Sequence, residues 1–223
     1  MAKNDVVLID GIIEDRARAG IPSNQKDEVF EYFSFEQILK DFDPSREEIE
    51  SGWVDGRNDG GIDGFFTVVN GSILQDPASF TWPKKNADID VFIINCKHHD
   101  TFQQAPLNSM LASIPEVLDL SSEEAYLRER YSGEILTARL TLLAAYTRLS
   151  SVRPNLRFHF FYASRGDSTV VADNVRTRSE QILTVTETLF SACQVDFSFV
   201  GAADLISAYR RTKSFSFDLR ALE

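Results

Sequence analysis

Residues Ile89 to Lys97 form a nearly unbroken apolar run, Ile-Asp-Val-Phe-Ile-Ile-Asn-Cys-Lys, and no other feature narrows the fold as much. A run of this length, rich in β-branched and aromatic side chains, reads as a strand. A strand that is apolar on both faces must be covered on both. That requires a layered fold with helices on either side of a central sheet. Period-2 alternation places Ile93, Asn95 and Lys97 on one face and Ile94 and Cys96 on the other, so the amide and the ammonium point at one site.

The segments around this strand suggest how the layers are built. Ile62 to Val69 is a second strand, ending in Asn70-Gly71, a strong hairpin signal, before Ser72-Ile73-Leu74. Pro77 to Asn86 reads as an irregular loop. Val6, Val7, Ile9, Ile12 and Ile13 predict a helix over 5–19, closed by Gly20 and Pro22. A second helix is predicted from Ser23 as N-cap to about Phe42, ahead of Asp43-Pro44. After Phe102 comes a short helical segment broken by Pro106 and Pro115, then a long amphipathic helix over about 122–149. Strand 157–163, helix 170–192, strand 195–200 and a short helix from Ala202 to Arg210 complete the order. This is a mixed α/β sandwich and not a series of regular βαβ repeats. One domain is expected over 1–223, with an N-terminal helix in 1–22, a core in 23–200 and a C-terminal extension in 201–223.

Composition sets the class. A chain of 223 residues, 43% hydrophobic with 17 Phe, can bury a real core, which argues against disorder. No apolar run approaches the roughly 20 residues that span a bilayer. The start, Met1-Ala2-Lys3-Asn4-Asp5, lacks a secretory h-region, so a cytoplasmic protein is expected. Cys96 and Cys193 lie in or beside apolar segments without partner spacing, so they are read as reduced thiols and no zinc site is expected. The net charge of −11 argues against nucleic acid as a partner, but the charge is unevenly spread. Residues 27–63 carry twelve acids against Lys40, Arg46 and Arg57, whereas 126–220 carry thirteen bases, twelve of them Arg, against nine acids. A metal-holding edge beside an anion-facing surface would look like this, and so would the solvated faces of ordinary helices.

The candidate chemistry lies in Asp59-Gly60-Gly61-Ile62-Asp63-Gly64 and in Asn95-Cys96-Lys97. A carboxylate leaving a glycine turn into one strand, with an oxygen donor and a lysine two apart on the next, is the skeleton of a magnesium-dependent phosphodiesterase site. Asp63 is the natural first ligand, since Gly61 and Gly64 leave room for a phosphate backbone to approach. Glu28 falls inside the stripe Tyr32, Phe35, Leu39 and Phe42 of the second helix, while Glu31 and Glu36 lie nearer its flanks. A carboxylate on a buried face needs a charge or a metal, which favours Glu28 as the second acid. Asn95 would contribute a neutral carbonyl oxygen, and Lys97 would orient the nucleophile or offset developing charge. Each piece also has an ordinary reading: a Gly-Gly-x-Asp-Gly turn, a strand meeting solvent at Asn95 and Lys97, an ion-paired Glu28. At most one of His98 and His99 can face the site, because neighbours on an extended chain point opposite ways. His159 alternates with core residues and is read as structural, Asp55 and Asp59 as shaping the turn. Arg165, between a strand and a helix, is placed to receive a phosphate.

In their order, Glu28 to Phe33, Gly56 to Phe66, Val69-Asn70-Gly71 and Ile94 to Lys97 with Phe102 resemble the N-terminal region of AIPR (abortive infection phage resistance) proteins. Phe160 to Ala163 and Val195 to Ala202 are similar to the strands that follow there. The resemblance implies a restriction-endonuclease-like PD-(D/E)xK fold, a three-layer sandwich with a mixed central sheet flanked by helices. It also implies an endonuclease of anti-phage defence acting on DNA or RNA. Asp63, Asn95 and Glu28 would then hold Mg²⁺ or Mn²⁺, Lys97 would assist, and Arg165 and His98 would touch nucleic acid. Self-association into a homo-oligomer is a further expectation. Two departures from the family stand out. Asn95 replaces the usual Glu, Asp or Gln, which opens the alternative of a catalytically weakened module that binds nucleic acid or mediates assembly. The chain also stops where family members continue, so Leu222-Glu223 is read as a vector remnant or the end of a short relative.

Overall fold

The central strand is buried along almost its whole length, and helices cover both of its faces. In the computed structural model, which describes residues 4–54 and 56–212, it is β3 (Asp88–Lys97) of a five-stranded sheet. The sheet order is β2-β1-β3-β4-β5, with β1 (Gly64–Val69), β2 (Ser72–Ile73), β4 (Asn155–Ser164) and β5 (Cys193–Val200). β1 runs antiparallel to β2 and β3, whereas β3, β4 and β5 run parallel. The molecule is therefore an α/β protein with a mixed, open sheet between helical layers.

Alternation along β3 sorts the core into two halves. Ile89, Val91 and Ile93 join the side chains of α4 (Gln104–Val117), α6 (Gly133–Arg148) and α7 (Asp173–Leu189). Phe92, Ile94 and Cys96 join those of α1 (Asp5–Ala19), α2 (Lys26–Ile38), α3 (Arg46–Gly52) and α8 (Ala202–Arg210). The Asn70-Gly71 hairpin is as expected: both residues have positive φ, 48° and 81°, and the pairs Val69↔Ser72 and Val68↔Ile73 close around them. Cys96 and Cys193 are free thiols. Among the described residues no helix is long and apolar enough to cross a membrane.

Several boundaries differ from the sequence reading, for physical reasons. α2 starts after Gln25, not Ser23, whose Oγ instead accepts the Gln25 N–H at 2.8 Å. It ends at Ile38, and a 3₁₀ turn, Lys40–Phe42, follows. The helix is buried nearly all round, through Val29, Phe30 and Phe33 as well as Tyr32 and Phe35, because α1 and α8 pack on the side away from the sheet. α3 was not anticipated, although Ser45 and Glu48 form a complete capping box at its start. α4 is continuous through both prolines: Pro106 lies in its first turn, where no intrahelical donor is needed, and Pro115 in its last. The expected helix over 122–149 is two, α5 (Glu124–Arg128) and α6, with Ser132 capping the second through the Ile135 N–H. The residues assigned to a C-terminal extension include α8, whose Ala202, Leu205 and Ile206 belong to the core; likewise α1 is a core helix. Asp55 and Leu222-Glu223, which carry expectations, lie outside the described residues.

Toward the other end of the sheet, Arg157 and His159 of β4 stand on the α2-side face, half-buried. Arg157 grips Asp90 with Nε and Nη2, the latter at 2.8 Å, and His159 bridges Asp90 (3.0 Å) and Asp196 (2.6 Å). Asp88 lies 3.5 Å from Arg157 Nη1. Burial opposes ionisation of Asp90, but Arg157 and His159 outweigh it and hold its pKa at about 2. Burial likewise disfavours a charged His159, yet Asp90 and Asp196 together raise its pKa above the usual value. The network is therefore complete between the unfolded carboxylate and histidine values, roughly pH 4 to 6.5. It is lost as pH falls toward the folded value of Asp90 and as pH rises through that of His159. Urea denaturation of the wild type should show a midpoint that drops on the alkaline side, and His159→Phe should lack that drop. Parallel pH profiles for the two proteins would refute this account.

Candidate active site

The site is assembled by the turn before β1 and the end of β3. Asn58, Gly60 and Gly61 all have positive φ (67°, 66° and 78°), which winds the chain tightly. Asp59 closes the turn, its Oδ1 accepting the Gly61 N–H at 2.7 Å and its carbonyl accepting the Ile62 N–H at 3.1 Å. The helical layer braces it from outside: Ser113 Oγ donates to the Gly60 carbonyl at 2.6 Å and the Ser132 N–H to the Asn58 carbonyl at 3.0 Å. The break between α5 and α6 thus supplies a donor to the glycine turn. A Cβ on Gly61 would sit 2.9 Å from both Met110 N and Ser109 Cβ, so only glycine fits the close approach of α4.

The turn delivers Asp63 to the C-terminal end of β3, where its N–H donates to the Ile94 carbonyl at 2.9 Å. The residue is 4% exposed. Its Oδ2 accepts the Cys96 N–H at 2.6 Å, and Lys97 Nζ lies 3.1 Å from both oxygens. Burial pushes the carboxyl pKa up, and the Lys97 charge and the Cys96 N–H offset this only in part, so the net shift is upward. For Lys97, burial lowers the pKa, but the Asp63 charge and hydrogen bond outweigh it and the net shift is upward. The ammonium is thus held charged against its partner carboxylate.

Asn95 faces the same turn and is fully buried. Its Nδ2 donates to the Gly61 carbonyl at 2.9 Å, and its Oδ1 is sealed without a hydrogen-bond partner. Asn95 therefore ties the glycine turn to β3, a role the sequence did not reveal. At the end of β3, Asp27, Glu31, Cys96, Lys97, His98 and His99 line a cavity of about 140 Å³. Asp63 is not in that wall; it lies behind Lys97, bonded to it.

The helix acid at this cavity is Glu31, not Glu28. Glu28 is half-buried and bonded to Gln25, the residue just before its own helix. Glu31 Oε2 accepts the Trp53 Nε1–H at 2.9 Å, which fixes the carboxylate against the cavity wall. The two positions proposed for nucleic-acid contact are also differently engaged. Arg165 is clamped, Nη1 to Asp10 at 2.6 Å and Nη2 to Asp100 at 2.5 Å, and so is not a free phosphate receptor. His98 stacks on Phe30 at 5.1 Å with Asp10 and Asp27 each 3.5 Å from its ring nitrogens. Burial and the Arg165 charge lower its pKa, which favours a neutral wall residue. His99, its neighbour, is exposed.

Among the described residues no group of three or more His, Cys, Asp or Glu could hold a metal ion. The oxygen donors at this end of the sheet are the carboxylates of Asp63 and Glu31 and the orphaned Asn95 Oδ1. This is a hard, all-oxygen set, of the kind magnesium accepts while keeping several waters. No protein-family model matches the chain, and neither a curated protein nor a solved structure matches it.

The Asp63–Lys97 pair should behave as a buried ion pair. Lys97→Met leaves a sealed carboxylate uncompensated and should cost about 3–5 kcal/mol near neutral pH. That variant should regain stability as pH is lowered toward the unfolded carboxylate value of roughly 4, because Asp63 then protonates. The double variant Asp63→Asn/Lys97→Met should be more stable than Lys97→Met alone. Denaturation curves with the double variant at or below the single one would contradict this coupling.

Proposed function

We propose that the chain is a metal-dependent nuclease domain that cleaves phosphodiester bonds of DNA, with RNA as the other substrate class. The observation that carries this reading is the Asp63–Lys97 pair, sealed at the end of β3 beside a cavity with a helix carboxylate. The order of elements supports it as well. A helix precedes the β1–β2 hairpin, β3 runs antiparallel to β1, and a helical crossover leads to β4, parallel to β3. A mixed sheet between helical layers is also the general architecture that a restriction-endonuclease-like sandwich would have. The resemblance to AIPR proteins adds defence against phage as the setting.

In this reading Glu31 at the cavity and Asp63 behind Lys97 would hold Mg²⁺ or Mn²⁺, and the Asn95 oxygen, sealed in this structure, would join them only if its surroundings opened. The bound metal would supply charge stabilisation at the phosphoryl oxygens and a more acidic water. The protein's own residues do the rest. Lys97 brings a positive charge to the cavity, where negative charge grows on the phosphoryl group as the attack proceeds. Trp53 keeps Glu31 in one orientation through its indole N–H. Gly60 and Gly61 hold the turn that presents Asp63, and the neutral ring of His98 closes one side.

The second reading, a nuclease-fold module that binds nucleic acid or mediates assembly without efficient cleavage, is favoured by Asn95. Its amide is spent on the Gly61 carbonyl and its oxygen is closed off, where the motif normally offers an acid or a glutamine.

Supercoiled plasmid, single-stranded DNA and RNA, incubated with Mg²⁺ or Mn²⁺ and with EDTA, separate the readings. Metal-dependent cleavage should fall by roughly 100-fold or more in Asp63→Asn and in Glu31→Gln, while Glu28→Gln stays near wild type. Cleavage that survives EDTA, or full activity in both Asp63→Asn and Glu31→Gln, would remove the nuclease proposal. Wild-type inactivity with activity gained in Asn95→Glu would identify a weakened site and favour the second reading.

A further inference from the structure

The two edges of the sheet are protected very differently. β2 closes one edge with only two residues, Ser72–Ile73, too short to template another strand. β5 forms the other with eight, Cys-Gln-Val-Asp-Phe-Ser-Phe-Val, and among the described residues no strand pairs along its outer side. An edge of this length is usually blunted by a lysine, a proline or a bulge. Residues 193–200 hold no lysine or proline, and the pairing with β4 runs unbroken from Leu156↔Cys193 to Ala163↔Val200. The side chains of Cys193, Val195, Phe197 and Phe199 pack on the core yet stay only half-buried.

This strand is complementary to itself. In an antiparallel pair about a two-fold axis at Phe197, Phe197 meets its own copy and Val195 meets Phe199 of the second chain, all on one face. On the other face Asp196 meets Ser198 of the second chain, twice by symmetry. Asp196 Oδ2 is bonded to His159 at 2.6 Å, while its Oδ1 and the Ser198 hydroxyl have no hydrogen-bond partner among the described residues. The hydroxyl can therefore donate to the carboxylate across the axis. Moving the axis to Asp196 would set the two carboxylates directly opposite each other, which disfavours that register. We propose that β5 is an interface for a second copy of this chain, joined edge to edge so that two five-stranded sheets continue into one. The proposal is independent of the nuclease reading, since it uses none of Asp63, Glu31, Asn95 or Lys97.

Sedimentation velocity of the full chain at about 1–100 μM tests it, and a reversible dimer should appear within that range. Ser198→Asp puts like charges opposite each other twice and should weaken the dimer by about tenfold or more. Ser198→Lys instead puts an ammonium opposite each Asp196 and should leave the dimer at least as tight. Position 198 is half-buried on the open edge, so both variants should fold, with circular dichroism as the check. In the wild type, amide exchange within 193–200 should slow as the protein concentration rises, a readout that needs no variant. A chain that stays monomeric throughout the range would overturn the proposal. So would a dimer indifferent to Ser198→Asp, or one weakened equally by both changes.

Discussion

The structure depends on keeping one carboxylate out of water. Asp63 is 4% exposed, and an ionised group in that position is tolerable only if opposite charge and hydrogen bonds reach it together. Lys97 and the Cys96 N–H do so at 3.1 and 2.6 Å. Both partners belong to one strand, so β1 must begin opposite the end of β3 and in no other register. The pairing Gly64↔Ile94 meets that demand, and the glycine turn, with Ser113, Ser132 and Asn95 bonded to its carbonyls, holds the chain there. Much of the polar structure at this end of the sheet therefore serves to position a single side chain.

Arrangements of this kind carry a stability cost, and the chain accepts several together. Gly60, Gly61 and Asn58 are all left-handed, Asn95 keeps an unmet oxygen, and Lys97 is drawn partly out of solvent. Positive φ alone is ordinary in a turn, as at Asn70-Gly71, but the unmet oxygen and the drawn-in lysine are not. Local strain and unmet polar groups gathered where two strands meet a cavity are the pattern of a site kept for chemistry. The inference runs from these particular atoms to a function, and it is the argument for placing the proposed activity here and not at the His159 network. That network is also charged and half-buried, but each of its hydrogen-bonding groups is matched to a partner on a neighbouring strand.

How far the sequence could be read follows the range of the interactions involved. The hairpin at Asn70-Gly71, the buried strand β3 with Asn95 and Lys97 on one face, and the helices at 5–19 and 202–210 rest on local signals and short periodicities. The choice between Glu28 and Glu31 does not. The periodicity of α2 marks a single apolar stripe, but α1 and α8 bury its other side, so the stripe does not tell which acid meets the sheet. Trp53, which fixes Glu31, lies in a stretch where α3 went unread despite its capping box. Arg165 looked like a phosphate receptor because Asp10 and Asp100, far off in sequence, could not be seen closing on it. The C-terminal helix looked like an appendage for the same reason: its apolar face is legible, but what it packs against is not.

The charge pattern around the candidate site ties these points together. Asp27 and Glu31 line the cavity with Lys97, Asp10 and Asp27 flank His98, and Arg165 is held by Asp10 and Asp100. A phosphodiester backbone approaching this rim meets net repulsion, in keeping with the chain's overall charge of −11. Two ways out exist in this geometry. A divalent cation can neutralise carboxylates and present positive charge in their place, or Asp10 on α1 and Asp100 can give up Arg165 to the incoming phosphate. The first makes any nucleic-acid affinity of this face rise with divalent metal, and the second makes it depend on the packing of α1. Both place control of access in the carboxylates around the cavity, in front of the Asp63–Lys97 pair.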